Sequence, residues 1–154
     1  MKYPLTLGVL ILCVLFSCRT DTCEFSYRTV PLNGWDMSDS MVFPVDSIVA
    51  DGYYQISVGL RTSAARPYPY RHLSLEVAYS LADSMQVGKH VYNLLLTDSL
   101  GDVNGSGISL YQYEHVVDTL HLCSQQSGVI TVRHAMRDRV LQGISDVGIR
   151  IRRL

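Results

Sequence analysis

The sequence predicts an all-β protein: an antiparallel β-sandwich of about eight strands behind an N-terminal lipoprotein signal. Three observations predict it. Apolar and polar residues alternate through several runs, turn residues separate those runs, and a short apolar stretch near the start ends in a cysteine. Successive side chains of a strand point to opposite faces, so alternation makes one apolar face for a core and one wet face. Antiparallel sheets packed on one side carry that pattern. Many short strands with turn chemistry between them favour a sandwich or barrel. Ten tyrosines in 154 residues suit half-buried sheet surfaces.

Residues 1–17 read as a signal peptide. Lys2 supplies a positive start, residues 5–16 are almost continuously apolar, and the segment closes in Leu15-Phe16-Ser17-Cys18. A basic start, an apolar stretch of about 7–15 residues and a small residue before the cut mark export. The stretch falls short of the roughly 20 residues that span a bilayer. A cysteine straight after the small residue, with Leu three places before it, is a lipobox, whose thiol is the group that is acylated. Cys18 is therefore expected as the lipidated first residue of the mature chain. One acyl chain binds a membrane marginally and several hold it stably. Arg19 stands after Cys18 in place of the Asp that retains some lipoproteins in the inner membrane. The expected location is the outer membrane, facing the periplasm.

Cleavage removes Lys2 and leaves 137 residues with 12 Lys and Arg against 14 Asp and Glu, formally −2. That length suits one domain. That balance is no polybasic footprint, so no nucleic acid partner is expected; Arg150, Arg152 and Arg153 read as a solvated strand face. Residues 18–24 form a polar, lipidated tether, and 25–154 form the β-sandwich domain. Its strongest runs place Tyr54, Ile56, Val58 and Leu60, then Leu73, Leu75, Val77 and Tyr79, then Ile130 and Val132, then Val147, Ile149 and Ile151 on apolar faces. Shorter strands are expected at 25–30, 41–45, 92–96, 108–113 and 119–123. Asp51-Gly52, Gly88, the 98–107 segment and Gly128 supply turns. Residues 138–142 allow one short helical turn.

Cysteines sort by position. Cys13 falls in the signal and Cys18 takes the lipid, leaving Cys23 and Cys123 as a candidate disulfide in an oxidising compartment. The loop it closes, about 100 residues, is worth roughly 4–5 kcal/mol in the chain-entropy model. The alternative is Cys23 on a tether and Cys123 as a buried free thiol.

Catalytic signals are weak. His72, His90, His115, His121 and His134 have no zinc spacing. His134 keeps step with Ile130 and Val132, as a hydrogen-bonded core histidine does. Asp102, Asn104, Ser106 and Gly107 copy the opening of a calcium loop, but Tyr113 stands where the bidentate Glu belongs. A Gly-rich turn is the plainer reading. There is no Gly-x-Ser-x-Gly elbow, Cys123 lacks a nucleophile signature, and the acids are dispersed. No enzyme activity, cofactor or metal site is expected. The 66–71 segment, Arg66-Pro67-Tyr68-Pro69-Tyr70-Arg71, joins two long strands. Its prolines stiffen it, and its tyrosines and arginines are good interface residues. Arg66, Tyr68, Tyr70, Arg71 and His72 are the candidate partner contacts; equally, the tyrosines can simply cover the end of the sandwich. The 98–107 loop is a second candidate contact region. Trp35 suits either a sugar platform or the core.

Several of these segments together resemble the GldH-type gliding-motility lipoproteins of the Bacteroidetes. They are the lipobox, Trp35, the strand ending in Arg61, Tyr68-Pro69-Tyr70 with Leu73 and Leu75, and the 98–107 loop with its three glycines. The ending Met136-Arg137, Leu141, Gly143-Ile144, Asp146 and Gly148-Ile149 completes the set. The family pattern has Asn at the position of His72, an aromatic near Ser74 and Trp near Val103. The resemblance implies a lipoprotein that supports gliding and its associated protein secretion, with no catalytic residues to carry over. The expected function is a non-catalytic, membrane-anchored component of such an envelope assembly, with envelope proteins of a motility or secretion complex as partners. A glycan-binding surface lipoprotein using Trp35, Tyr68 and Tyr70 is the alternative.

Overall fold

The alternating runs pair into two sheets with one core between them. The computed structural model describes residues 22–81 and 86–154, the side chains of 22–25 and 86 excepted. In chain order the strands are β1 (Thr22–Thr29), β2 (Trp35–Asp36), β3 (Met41–Val45), β4 (Gly52–Ser63), β5 (His72–Leu81), β6 (Gln86–Leu95), β7 (Leu110–Leu122), β8 (Gly128–His134), β9 (Val140–Leu141) and β10 (Ile144–Arg153). One sheet has the order β1-β10-β4-β7 and the other β3-β8-β5-β6, while β2 and β9 form a small ribbon. Every pairing is antiparallel. The expected all-β sandwich is the observed class, with four strands in each main sheet.

The core is built from the apolar faces. Tyr54, Ile56, Val58 and Leu60 of β4 are fully buried, as are Leu73 and Leu75 of β5, Ile130 and Val132 of β8 and Val147 of β10. They form one cluster with Phe43, Leu122, Leu141 and Trp35. Burying each aliphatic side chain of this size contributes about 1.5–3 kcal/mol. The sheets are tied at both flanks. On one, Arg28 Nε of β1 donates to Val42 O of β3 at 2.6 Å. On the other, Tyr79 and Tyr92 of the second sheet donate to Asp118 Oδ2 and Val117 O of β7 at 2.7 Å.

Four expectations change. The short strands at 108–113 and 119–123 are one strand, β7, which starts at Leu110. The Val116-Val117 doublet breaks the period of two because Val117 is the extra residue of a β-bulge opposite Ile56 and Ser57. Residues 138–142 form no helical turn; Val140 and Leu141 pair with Asp36 and Trp35. β1 already begins at Thr22, inside the expected tether. β6 begins at Gln86, six residues before the expected strand at 92–96, because Gly88 lies within it rather than in a turn. There, Gly88 makes room for the Tyr79 ring: a Cβ would sit 2.2 Å from it.

Register orients the sandwich. Thr22, Gly52, Leu122 and Arg153 gather at one end of the first sheet, and Thr29, Ser63, Leu110 and Ile144 at the other. Since 64–71 joins β4 to β5, His72, Leu95 and His134 share the second end, whereas Leu81, Gln86 and Gly128 share the first.

Candidate functional site at the loop end of the sandwich

The connections 30–34, 37–40, 64–71, 96–109, 135–139 and 142–143 all emerge at the end opposite Thr22. They hold one another. Ala64 N donates to Ser109 O at 2.9 Å, and Leu96 N to Arg71 O at 2.8 Å. Gln142 Nε2 donates to Asn33 O at 2.7 Å.

The five expected contact residues divide by role. Arg66 donates from Nη1 to Leu32 O at 3.1 Å, tying 64–71 to the segment after β1. Tyr68 is half-buried against the core, and its hydroxyl donates to His72 O at 3.0 Å. Desolvation pushes that hydroxyl's pKa well up, so it stays a neutral donor. Tyr70 stands edge-on to Tyr68, with centroids 5.7 Å apart, and donates to Asp138 Oδ2. That hydrogen bond to a carboxylate raises the Tyr70 pKa. Arg71 and His72 have exposed side chains. So Arg66, Tyr68 and Tyr70 brace the end of the sandwich, and Tyr70, Arg71 and His72 offer surface. Asp138 was missed from the sequence, and Gly143 entered its reading through the family resemblance alone, with no place at this end. Gly143 has φ +88°, and a Cβ there would lie 2.6 Å from Tyr68 Cα; its place between Gln142 and Ile144 was the available signal.

The 98–107 loop uses its polar atoms internally. Asp98 Oδ1 accepts the N–H groups of Leu100 and Asp102 at 2.7 and 2.9 Å, which holds its pKa down. Asn104 Nδ2 donates to Leu95 O at 3.3 Å. Ser106 and Gln112 exchange both backbone hydrogen bonds. Of the calcium-loop side chains, Asn104 turns its Nδ2 to Leu95 O and Ser106 its hydroxyl to Gln112 O. Among the described residues no group of three or more His, Cys, Asp or Glu side chains converges.

Trp35 is fully buried, with Nε1 donating to Asp39 O at 2.9 Å. It cannot stack on a sugar, which corrects one of the two readings its position allowed. His134, 1% exposed, is the core histidine the alternation suggested: Nε2 lies 3.0 Å from Trp35 O. Cys18 lies outside the described residues, and so does the side chain of Cys23. Cys123 is a free thiol, exposed rather than buried. β1 and β7 are opposite edges of their sheet.

Three clefts open at or beside this end. A mainly apolar one of about 290 Å³ lies among Val30, Leu32, Ala65, Arg66, Leu110 and Ile144. A second, about 400 Å³, lies between Tyr70, Ser74 and residues 135–138. A third, about 470 Å³ and equally polar and apolar, runs between residues 93–96, at and just past the end of β6, and 112–115 of β7.

The model of one protein family, the GldH lipoprotein family, matches residues 23–151. No curated protein matches the chain. Among solved structures, the chain is similar to the Eiger TNF of S. frugiperda at 13% identity and a TM-score of 0.35, over 88% of this chain and 87% of that one. It is also similar to a family GH115 4-O-methyl-alpha-glucuronidase with specificity for decorated arabinogalactans. There the identity is 11% and the TM-score 0.40, over 84% of this chain and 16% of that one. Neither likeness carries an argument.

Proposed function

This chain belongs to the GldH lipoprotein family, and from that premise we propose that it is a non-catalytic, lipid-anchored component of a gliding-motility or protein-secretion assembly in the cell envelope. Cys18 carries the lipid, in the outer membrane with the domain facing the periplasm. The partners are other envelope proteins of that assembly. The observation that carries the reading is the polarity of the sandwich. β1 starts at Thr22, four residues after the lipidated cysteine, while the connections 64–71 and 96–109, which hold the candidate contacts, lie at the far end. A β1 of eight residues spans about 26 Å, so the loops stand clear of the membrane that the tether holds. Tethering keeps such a surface at high effective concentration near partners in the same membrane.

Glycan binding is the weaker reading, because Trp35 is buried and Tyr68 is half-buried, leaving Tyr70 as the exposed ring of the three.

The test is deletion of the gene and complementation with the wild type, Cys18→Ala and a copy altered at Tyr70, Arg71 and His72. The expected result is loss of motility or of secreted cargo on deletion and with Cys18→Ala, and reduced complementation by the loop variant. Full motility and secretion in the deletion strain would overturn the proposal.

A further inference from the structure

We infer that the open edge of β7 at Glu114 receives an extended segment of a partner polypeptide as an added strand. This rests on the reading of the chain as an assembly component and names how it grips its partner.

β7 is thirteen residues long and, among the described strands, pairs with β4 alone. In an antiparallel ladder, alternate residues direct their N–H and C=O to opposite sides. Gln112 directs its pair outward, because Gln112 N donates to Ser106 O at 2.8 Å and Ser106 N to Gln112 O at 3.0 Å. Glu114, two residues on and in unbroken register opposite Gly59, presents its peptide groups to the same side. There, among the described residues, they meet no partner.

The molecule itself shows that this edge can pair. The 98–107 loop makes one rung on it, Ser106 with Gln112, and reaches the residue just past β6, where Asn104 N donates to Leu96 O at 2.9 Å. Below that crossing lies the third cleft. It is lined by the consecutive residues 93–95 of β6 with Leu96 just past it, by 112–115 of β7, and by Asn104 and Ser106 of the loop. A sheet face would contribute alternate residues; consecutive ones mean that the strand edges themselves form the walls. Farther along, the cleft ends where Tyr92 and Tyr79 bond Val117 and Asp118. Edge strands are commonly blunted by lysine or proline. β7 contains neither, and its bulge lies past Glu114. The outward amide and carbonyl of Glu114, one strand repeat beyond the Gln112 rung, are the recognition chemistry of an added strand.

Charge selects the occupant. Glu114 pairs with Arg150 at 3.0 Å on the outer face. A second copy pairing about Glu114 would set two carboxylates opposite each other, which is destabilising. A partner segment with a basic or neutral polar residue at that rung fits.

The experiment is amide hydrogen exchange of the full lipidated protein, read residue by residue, in native envelope membranes and after purification in detergent. The expected result is a Glu114 amide that exchanges at least about ten-fold more slowly in the membranes, with Tyr113 and His115, bonded to β4, unchanged. Glu114→Lys should abolish the slowing, and Glu114→Gln should keep most of it, both with melting temperatures near wild type. Equal exchange in the two preparations would overturn the inference. So would slowing that survives Glu114→Lys, which points to a glycan or lipid cover, or slowing that grows with concentration of the purified protein, which marks a second copy. Normal motility on gene deletion combined with a slowed Glu114 would remove the proposed assembly and leave the edge site standing.

Discussion

Trp35 and His134 meet edge to face in the core, with ring centroids 5.3 Å apart and His134 Nε2 3.0 Å from the Trp35 carbonyl oxygen. The contact joins β2 of the small ribbon to β8 of the second sheet. Burial lowers the His134 pKa, the Trp35 hydrogen bond opposing it in part. The ring is therefore neutral, donates from Nε2, and leaves Nδ1 buried without a partner.

A lowered histidine pKa makes stability depend on pH. Below the ordinary histidine value the unfolded chain takes up a proton that the folded chain resists, so stability is full above about pH 6.5 and falls as pH drops through the folded value. Thermal melts should agree closely at pH 7.5 and 6.5 and show the loss at pH 5.5. His134→Phe should flatten that slope while costing about 1 kcal/mol, because the buried hydrogen bond to the Trp35 carbonyl is lost. An unchanged slope in the variant would assign the pH dependence elsewhere.

On the outer face of the first sheet, Tyr27 lies across the neighbouring strands. A Cβ on Gly59 or Gly148 would fall 2.6 Å from its ring or hydroxyl, and the Arg61 guanidinium stacks 3.9 Å from its centroid. Gly59→Ala, whose Cβ would meet Tyr27 side-chain atoms, should destabilise by about 1–3 kcal/mol through overpacking. In a Tyr27→Ala background the same change should cost much less. Denaturant unfolding of the double-mutant cycle reads the coupling, and additive effects would show that the ring yields freely.

Gly143 positions the 64–71 connection. Its backbone is left-handed, and the space its side chain would need is filled by Tyr68 backbone. Gly143→Ala should cost at least about 1–2 kcal/mol. It should also change the labelling or proteolysis of 64–71 before global unfolding. Pro67 and Pro69 stiffen this loop but do not aim it; the glycine contact does.

Cys123 should react with a thiol reagent in the native, unreduced protein, since it is exposed and free. Mass spectrometry of the labelled peptide checks this. Absence of label without reductant and full label with it would place Cys123 in a disulfide.

Much of the fold was legible. The four strongest alternating runs, in β4, β5, β8 and β10, are the buried strands, since a strand between two others and under a second sheet must keep its period. β7 was read as two pieces because it is an edge strand, with mostly exposed or half-buried residues and a bulge at Val117. Edge burial is too slight to impose alternation. β2 and β9, two residues each, carry no period at all.

The candidate site was legible in part. The 66–72 stretch was picked out for its rings and charges, and it does lie at the loop end. That Tyr68 turns inward, that Tyr70 bonds Asp138 across 68 positions of sequence, and that Trp35 is inaccessible depended on which loops meet.

Local periodicity and the motif at Cys18 by themselves determined the strand class, the family resemblance and the expected anchor, because each is written over short spans of chain. Tertiary structure alone decided which end carries the loops, which tyrosines brace and which face solvent, and that β7 keeps an open edge. These depend on pairings such as Gln112 with Ser106 and Ile144 with Thr62. Only closure of the sandwich sets them, because no spacing within one strand names the strand beside it.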